Sequence, residues 1–534
     1  MEALQSTRET ILKLAAERDR SLHTLPTTAD PQEIQASLAA LPSSLPEEGL
    51  GSSKALDVVL KDVVPGLAPG HAGPRYFGFI TGGCLPSAQL ADFVTTIYDQ
   101  NAGANRPEET ITAIIENRAL EFVLDLLDLP RDRFLARTLT SGATASNVLG
   151  LALARDHAVR HALASSTHSV SEDGYGGVTV KVYTDRPHAS LLKAAAAVGV
   201  GRANVVDLGR KIEDGDTMGI DLGELEKHLK DAAPGSGTAA VVSLSFGEVS
   251  TGDFTPNVHE IRALCDKYSV WLHIDAAFGA YARLVPELVG SIADGLELAD
   301  SITSDAHKWL NVPYDCGLFF SRSINHQSSV FGPSPSKPPP AYLARSAIPA
   351  SAAITLTPEM QAAQLVPDAM NLSIENSRRF RALPLYAALL DQGREGYADI
   401  VRRNIVFTRQ IAAWMGSPQG KGYYEVLNLR KSWTDPEKGV RTTPLNMLLF
   451  RAASTNPVKT YRDEGGATLL VRAINESRKV QVTPGAGAVR IAVSNWCTGL
   501  YTATEGGREK GDFDILVEVL LGAIENPPAW VRNS

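Results

Sequence analysis

The spacing of apolar and polar positions divides the chain before any chemistry is considered. TRETILKLAAERDR near the N-terminus repeats with a helical period, and HTLPTTADPQEI supplies proline stops and an Asp-Pro helix start. Residues 1–70 therefore read as a helical arm. A stretch rich in Gly and Pro follows, VVPGLAPGHAGPRYFGFITGGCLP, and a long helical pattern from about 108, EETITAIIENRALEFVLDLLDLP, ends at Pro130. Short β-branched runs then alternate with helical ones. The strand candidates are GGVTVKVYT (176–184), AAVVSLSF (239–246), VWLHIDA (270–276), DSITS (300–304) and GLFFSR (317–322), with PHASLLKAAAAVG and VHEIRALCDKY as helices between. Such alternation predicts a parallel sheet covered by helices, with its chemistry at the carboxyl ends of the strands.

The segment 323–357 is rich in Ser and Pro and reads as a long loop. A helical stretch, IENSRRFRALPLYAALLDQGREGYADIVRRNIVFTRQIAAWM, leads to a C-terminal α+β region with strand candidates YYEVLNL, PLNMLLFRA and VRIAVSN. RKSWTDPEKGVRTTP (430–444) reads as an exposed insertion. The expected division is an arm over 1–70, a large domain over 71–385 and a small domain over 386–534.

Length and composition narrow the class. A chain of 534 residues is long enough for more than one domain, and 44% hydrophobic with 21% charged is ordinary for a globular protein. The net charge of −9, from 60 acidic and 51 basic residues without single-sign blocks, points away from nucleic acid or an anionic membrane as partner. Cys84, Cys265, Cys316 and Cys497 form no CxxC pair, so neither a zinc site nor a disulfide framework is expected. The start, MEALQSTRETILKLAAERDR, has no apolar core of signal-peptide type, and no apolar run suggests a membrane span. The expectation is a cytoplasmic protein.

Candidate chemistry begins with HIDAAFGA (273–280). Asp275 ends an apolar strand, where an ionised carboxylate needs a positive partner. Three readings stand open: a metal pair with His273, a helix N-cap, or the counter-charge of a cationic cofactor. Lys308 follows DSITS, and if that strand lies near VWLHIDA both residues emerge on one edge. A lysine can bond an aldehyde there while a pyridinium nitrogen meets Asp275, the wiring of pyridoxal phosphate. TLTSGATASNVLGLALARDH (138–157) reads as strand end, small-residue turn and helix start, which suits a phosphate or is a plain capped helix. His188 opens a helix, where it stacks on a cofactor ring or merely caps.

Together PRYFGFITGG, TSGATASN, the Pro-His-Ala-Ser of 187–190, GEVSTGDF, HIDAAFGA, SDAHKWLNVPYDCG, SRRFRALPLYAALLDQGREG and RIAVSNW resemble the group II pyridoxal-phosphate-dependent decarboxylases, the family of aromatic amino acid and glutamate decarboxylases. The resemblance runs from about residue 70 to the C-terminus. It implies fold type I, with a mostly parallel seven-stranded sheet, and decarboxylation of an L-amino acid to amine and carbon dioxide through a Lys308 Schiff base. It implies a homodimer with the active site at the interface. By the same resemblance Asp275 partners the pyridine nitrogen, His188 stacks on the ring and His307 is the histidine before the lysine. Ala143 and Thr144 hold the phosphate, Ser250 lies near the cofactor, and Ala277 packs a small side chain against the ring. Tyr342 matches a loop tyrosine that reprotonates the substrate carbon; the other reading is a loop aromatic without a role. Phe79, Ile80 and Asn105 are the expected substrate pocket.

Four positions depart from the family pattern. Asn105 and Arg106 in DQNAGANRPEE make the pocket more polar than an aromatic substrate needs; Asp305 stands where several members have asparagine; and Thr255 replaces a common aspartate. An aldehyde synthase or another pyridoxal-phosphate lyase or transferase on the same scaffold is the alternative enzyme, and a non-catalytic binding scaffold the alternative to an enzyme. The substrate amino acid is not legible in the sequence.

Overall fold

The computed structural model describes residues 2–211, 218–337, 357–434, 441–505 and 508–532. Their contacts gather the chain into two compact units: Ser87–Arg402 with Arg430–Leu445, and Met1–Pro86 with Arg403–Leu429 and Asn446–Ser534.

The unit formed by 87–402 and 430–445 is built on a seven-stranded sheet. Its strands in chain order are Ala136–Thr140 (β1), Thr179–Thr184 (β2), Val205–Asp207 (β3), Thr238–Ser245 (β4), Trp271–Asp275 (β5), Ser301–Asp305 (β6) and Gly317–Ser321 (β7). Across the sheet they lie in the order β1-β7-β6-β5-β4-β2-β3. From β6 to β3 every pair is parallel, while β7 runs antiparallel to both its neighbours. The connections explain the difference. Helices Ala189–Ala197, Leu222–Asp231 and Val258–Lys267 make the crossovers that parallel strands require, whereas between β6 and β7 only the short turn Ala306–Trp309 intervenes and the chain doubles back. Strands buried on both faces commonly read as apolar runs, as β7 (GLFFS) does at its centre; β6 (SITSD) is buried at every position although only Ile302 is apolar.

The expected adjacency of DSITS and VWLHIDA holds: His273 pairs with Ser301 and Asp275 with Thr303. Helix Ala143–Ala162 packs across β4, β5, β6 and β7. It carries Gly150 where a Cβ would stand 2.4 Å from Cε1 of His273, so only glycine lets helix and strand come this close.

Two expectations need correction. The loop assigned to 323–357 begins with a helix, Ile324–Phe331, because Ser323 caps it by accepting from the His326 N–H and no proline occurs before Pro333. The insertion 430–444 is not wholly exposed: Arg430–Thr434 pairs with Arg441–Thr442, Thr443 is buried, and the Arg430 Nε donates to Asp253 at 3.1 Å. Helix Pro86–Tyr98, which the pattern left unassigned, exposes Leu90, Val94, Ile97 and Tyr98.

The other unit carries an antiparallel sheet in the order Tyr424–Val426, Met447–Ala452, Ala488–Ala492, Thr483–Gly485. Leu470 and Ile474 of helix Gly466–Glu476, with Leu516 and Leu520 of helix Asp512–Glu525, close over Phe450 and Ile491 in one core. N-terminal residues join this unit through polar contacts. Asp30 caps helix Pro31–Ala40 with a full capping box and accepts from Arg478 at 2.6 Å. Arg75 and Asp512 form a buried ion pair at 3.0 Å, and Arg75 also donates to the carbonyls of His23 and Lys479. Those added bonds offset the desolvation that burying two charges costs.

Candidate active site

A cavity of about 400 Å³ opens where β1, β2, β4, β5 and β6 end. Each strand end contributes a piece. After β1, Ser141 and Gly142 turn into the helix starting at Ala143, and Ala143, Thr144 and Ala145 line the wall. The N-cap position is Gly142, which has no side chain to cap the helix, so the first N–H groups of the helix could serve an anion. The tight turn depends on Gly317 of β7, where a Cβ would lie 2.4 Å from Thr140 Oγ1.

After β5, Asp275 projects into the cavity with both oxygens engaged. Oδ2 accepts from the Asn147 side-chain amide at 2.7 Å, and Oδ1 accepts from the Ala277 N–H at 3.2 Å. Asp275 caps no helix by this geometry, and the metal-pair reading falls as well. Both ring nitrogens of His273 are occupied, Nδ1 by Ser301 Oγ at 2.8 Å and Nε2 by Asn147 Oδ1 at 2.9 Å. Complete burial pushes the His273 pKa down to about 4, so its ring is neutral at pH 7.

After β6, Lys308 reaches the cavity with Nζ 3.2 Å from Asp305 Oδ2 and 5.9 Å from the Phe278 ring centre. Asp305 is 2% exposed, and its Oδ1 has no hydrogen-bond partner among the described residues. His307 lies beside Tyr314, ring centres 4.6 Å apart, and burial lowers its pKa against the opposing pull of Asp305.

After β2, His188 caps helix Ala189–Ala197: its Nδ1 accepts from the Ser190 N–H at 3.2 Å and meets the Ser190 hydroxyl at 2.8 Å. The capping reading is realised, and the capped residue also lines the cavity. Arg186 lines the same wall with a left-handed backbone, φ 43°. Its guanidinium donates to Asp185 at 2.9 Å and stands 3.6 Å from Asp253. The departure at Thr255 has a partner here, since its hydroxyl donates to Asp185 Oδ1 at 2.7 Å.

The cavity thus brings together Lys308, Asp275, His188, His307, Ala143, Thr144 and Ala277. Ser250 is buried one residue beyond the lining Val249 and does not line the cavity itself. Phe79 is exposed and Ile80 buried in the other unit, and neither lines it. Asn105 is buried elsewhere, its amide donating to the carbonyls of Ala363 and Val366 at 2.8 Å and its backbone N–H to Asp368. Tyr342 lies outside the described residues. Sequence reasoning missed Arg186, Glu248, Tyr314 and above all Asn147. The only signal for Asn147 was its position one helical turn beyond the phosphate-type turn, on the same helix face as Ala143.

These groups fit the cofactor expected from the sequence. An amine is present for an aldehyde, a fixed carboxylate for a basic ring nitrogen, a ring for stacking, and an uncapped helix start with the Ser141 and Thr144 hydroxyls for a phosphate.

Comparison with known proteins agrees. A family model described as the pyridoxal-dependent decarboxylase conserved domain matches residues 35–419. An L-2,4-diaminobutyrate decarboxylase of Acinetobacter baumannii is 27% identical over 293 residues, 53% of this chain and 52% of the relative. An aromatic-L-amino-acid decarboxylase of Bacillus atrophaeus is 24% identical over 384 residues, 70% of each chain. The solved structure of Oryza sativa TDC with PLP and tryptamine has the same fold, with a TM-score of 0.75 at 19% identity, covering 98% of this chain and 99% of that one.

Proposed function

The chain belongs to the pyridoxal-dependent decarboxylase family, and from that premise we propose that it converts an L-amino acid to the corresponding amine and carbon dioxide with the cofactor attached to Lys308. It is a pyridoxal 5'-phosphate-dependent carboxy-lyase of fold type I acting on an amino acid. The observation that carries the finer reading is the convergence of Lys308, a doubly hydrogen-bonded Asp275, His188 and an uncapped helix start on one cavity.

When bound, the cofactor offers an aldehyde to an amine and a protonated ring that takes up the electron pair left as carbon dioxide departs. The chain's own residues do the rest. Lys308 is the amine that holds the cofactor and is exchanged for the substrate amine. Two N–H groups donate to Asp275 and fix the direction of its carboxylate, which would face the ring nitrogen and favour its protonated form. His188 supports the ring face, its orientation set by the Ser190 N–H and hydroxyl. Ser141, Thr144 and the N–H groups of Ala143–Ala145 bind the phosphate, Ser250 lies near the cofactor, and Ala277 leaves room for the ring. Tyr342 is the proposed proton donor to the substrate carbon, and His307 assists at the site.

We further propose a cytoplasmic homodimer in which a second copy completes the active site. Support comes from Leu90, Val94, Ile97 and Tyr98, which expose one apolar helix face, and from the exposure of Phe79. No helix among the described residues is long and apolar enough to cross a membrane.

The test is reconstitution with pyridoxal phosphate followed by an amino acid screen for carbon dioxide release. Wild type is expected to show a visible absorbance band and to release amine; Lys308→Ala loses the band and at least about a thousandfold in kcat. Aldehyde and ammonia as the main products would replace this reading with the aldehyde synthase one. A Lys308→Ala protein that keeps the band and the activity would refute it. A monomer with full activity in sedimentation would refute the dimer.

A further inference from the structure

We propose that Asn147 is a positioning residue shared by Asp275 and His188, set by a one-way chain of hydrogen bonds that starts at Trp271 and passes through Ser301 and His273. The links are short and buried. Trp271 Nε1 donates to Ser301 Oγ at 2.9 Å, Ser301 Oγ lies 2.8 Å from His273 Nδ1, and His273 Nε2 lies 2.9 Å from Asn147 Oδ1. The Asn147 amide nitrogen then forks, donating to Asp275 Oδ2 at 2.7 Å and to Ser190 Oγ at 3.1 Å. Ser190 Oγ is 2.8 Å from His188 Nδ1. Asn147, His273 and Ser301 are fully buried.

Donor chemistry leaves one arrangement of protons. A carboxylate only accepts, so the amide nitrogen of Asn147 faces Asp275 and its oxygen faces His273. That oxygen needs a donor, which places the His273 proton on Nε2 and leaves Nδ1 bare. Nδ1 accepts from the Ser301 hydroxyl, whose oxygen in turn accepts the indole proton, and an indole can only donate. At the other end the Ser190 N–H already donates to His188 Nδ1, so that nitrogen is bare and receives the Ser190 hydroxyl proton. The Ser190 oxygen is then open to the second N–H of Asn147. Every proton has a place, and flipping the amide would set oxygen against carboxylate. Burial holds His273 neutral, so the tautomer persists through neutral pH. One amide therefore orients both the ionic partner of the ring nitrogen and the imidazole beside the ring, at positions where polar partners outside the direct contacts set how the contacting groups act.

The inference rests on the cofactor reading of the cavity. The test uses the full-length protein reconstituted with pyridoxal phosphate carrying 15N in the ring. Asn147→Asp sets a second carboxylate against Asp275, and two carboxylates at that distance must share a proton. The expected result is a ring 15N shift moved toward the unprotonated value and a kcat lower by about a hundredfold with KM within about threefold. Ser301→Ala, a smaller and more conservative change at the far end, is expected to move both readouts in the same direction by about tenfold or less in kcat. Variants with a lowered melting temperature but the wild-type 15N shift and kcat would show that the chain only stabilises the fold, and would overturn the proposal. Wild-type protein that takes up no labelled cofactor would overturn the reading of the cavity, and this inference with it.

Discussion

At the scale of the residue, the departures from family pattern are where the chemistry is specific to this chain. Asp305 is the clearest. Its carboxylate is buried, pairs with Lys308, and leaves Oδ1 without a partner among the described residues, 3.8 Å from where a Cβ on Gly142 would stand. A carboxylate so close to the proposed phosphate cradle opposes a phosphate dianion once the lysine charge is shared with the cofactor. Asp305→Asn is therefore expected to tighten pyridoxal phosphate binding by about three- to tenfold, read by absorbance titration of the apoprotein. Weaker binding in the variant would show that Asp305 serves mainly to hold Lys308. Lys308, Asp275 and His188 were legible in the sequence because each lies in a short local pattern that few other roles share. Asn147 and Arg186 were not, because what makes them matter is contact with Asp275, 128 positions away, and with Asp253.

At the scale of the element, helix Ala143–Ala162 is the part that ties the sheet to the cavity. Its start lines the cavity, Asn147 donates to Asp275, and Gly150 lets it close on His273. Alanine is ordinarily better than glycine in a helix by about 1 kcal/mol. Here the added methyl meets the His273 ring at 2.4 Å, well inside contact distance. Gly150→Ala is expected to destabilise the protein by about 2 kcal/mol in urea unfolding, in spite of its propensity; a stabilised variant would refute the close approach. Regular periodicity made most strands and helices legible. Helix Ile324–Phe331 was hidden because its eight residues were read with the proline-rich segment that follows them. The pairing of Arg430–Thr434 with Arg441–Thr442 was hidden because its anchor, the Arg430–Asp253 contact, joins positions 177 apart.

At the scale of the whole molecule, burial decides how stability responds to pH. His273 is neutral in the folded protein down to about pH 4 but takes a proton near 6.5 when unfolded. The unfolded chain thus binds more protons between those values, and stability falls as pH drops through that window. Above 6.5 the contribution is intact; by pH 4 the loss from this residue reaches about 3 kcal/mol. Burial lowers the pKa of His71, His157 and His307 in the same direction, so their contributions add to the loss on acidification. Urea unfolding of the apoprotein at pH 7 and pH 5 is expected to show the lower midpoint at pH 5, and equal midpoints would refute it.

What the sequence by itself determined were the features written locally: the alternation that makes a mostly parallel covered sheet, the turn before Ala143, the strand-ending Asp275, and Lys308 just past the next strand. Each follows from side-chain spacing and backbone preference over a few residues. The tertiary structure alone decided that β7 runs backwards, that Asn105 holds a distant backbone segment instead of lining the cavity, and that one amide serves both Asp275 and His188. Those outcomes depend on which groups meet after long stretches of chain have closed. Hydrogen-bond donors and acceptors find their partners across the whole fold, and no local window of sequence contains both members of the pair.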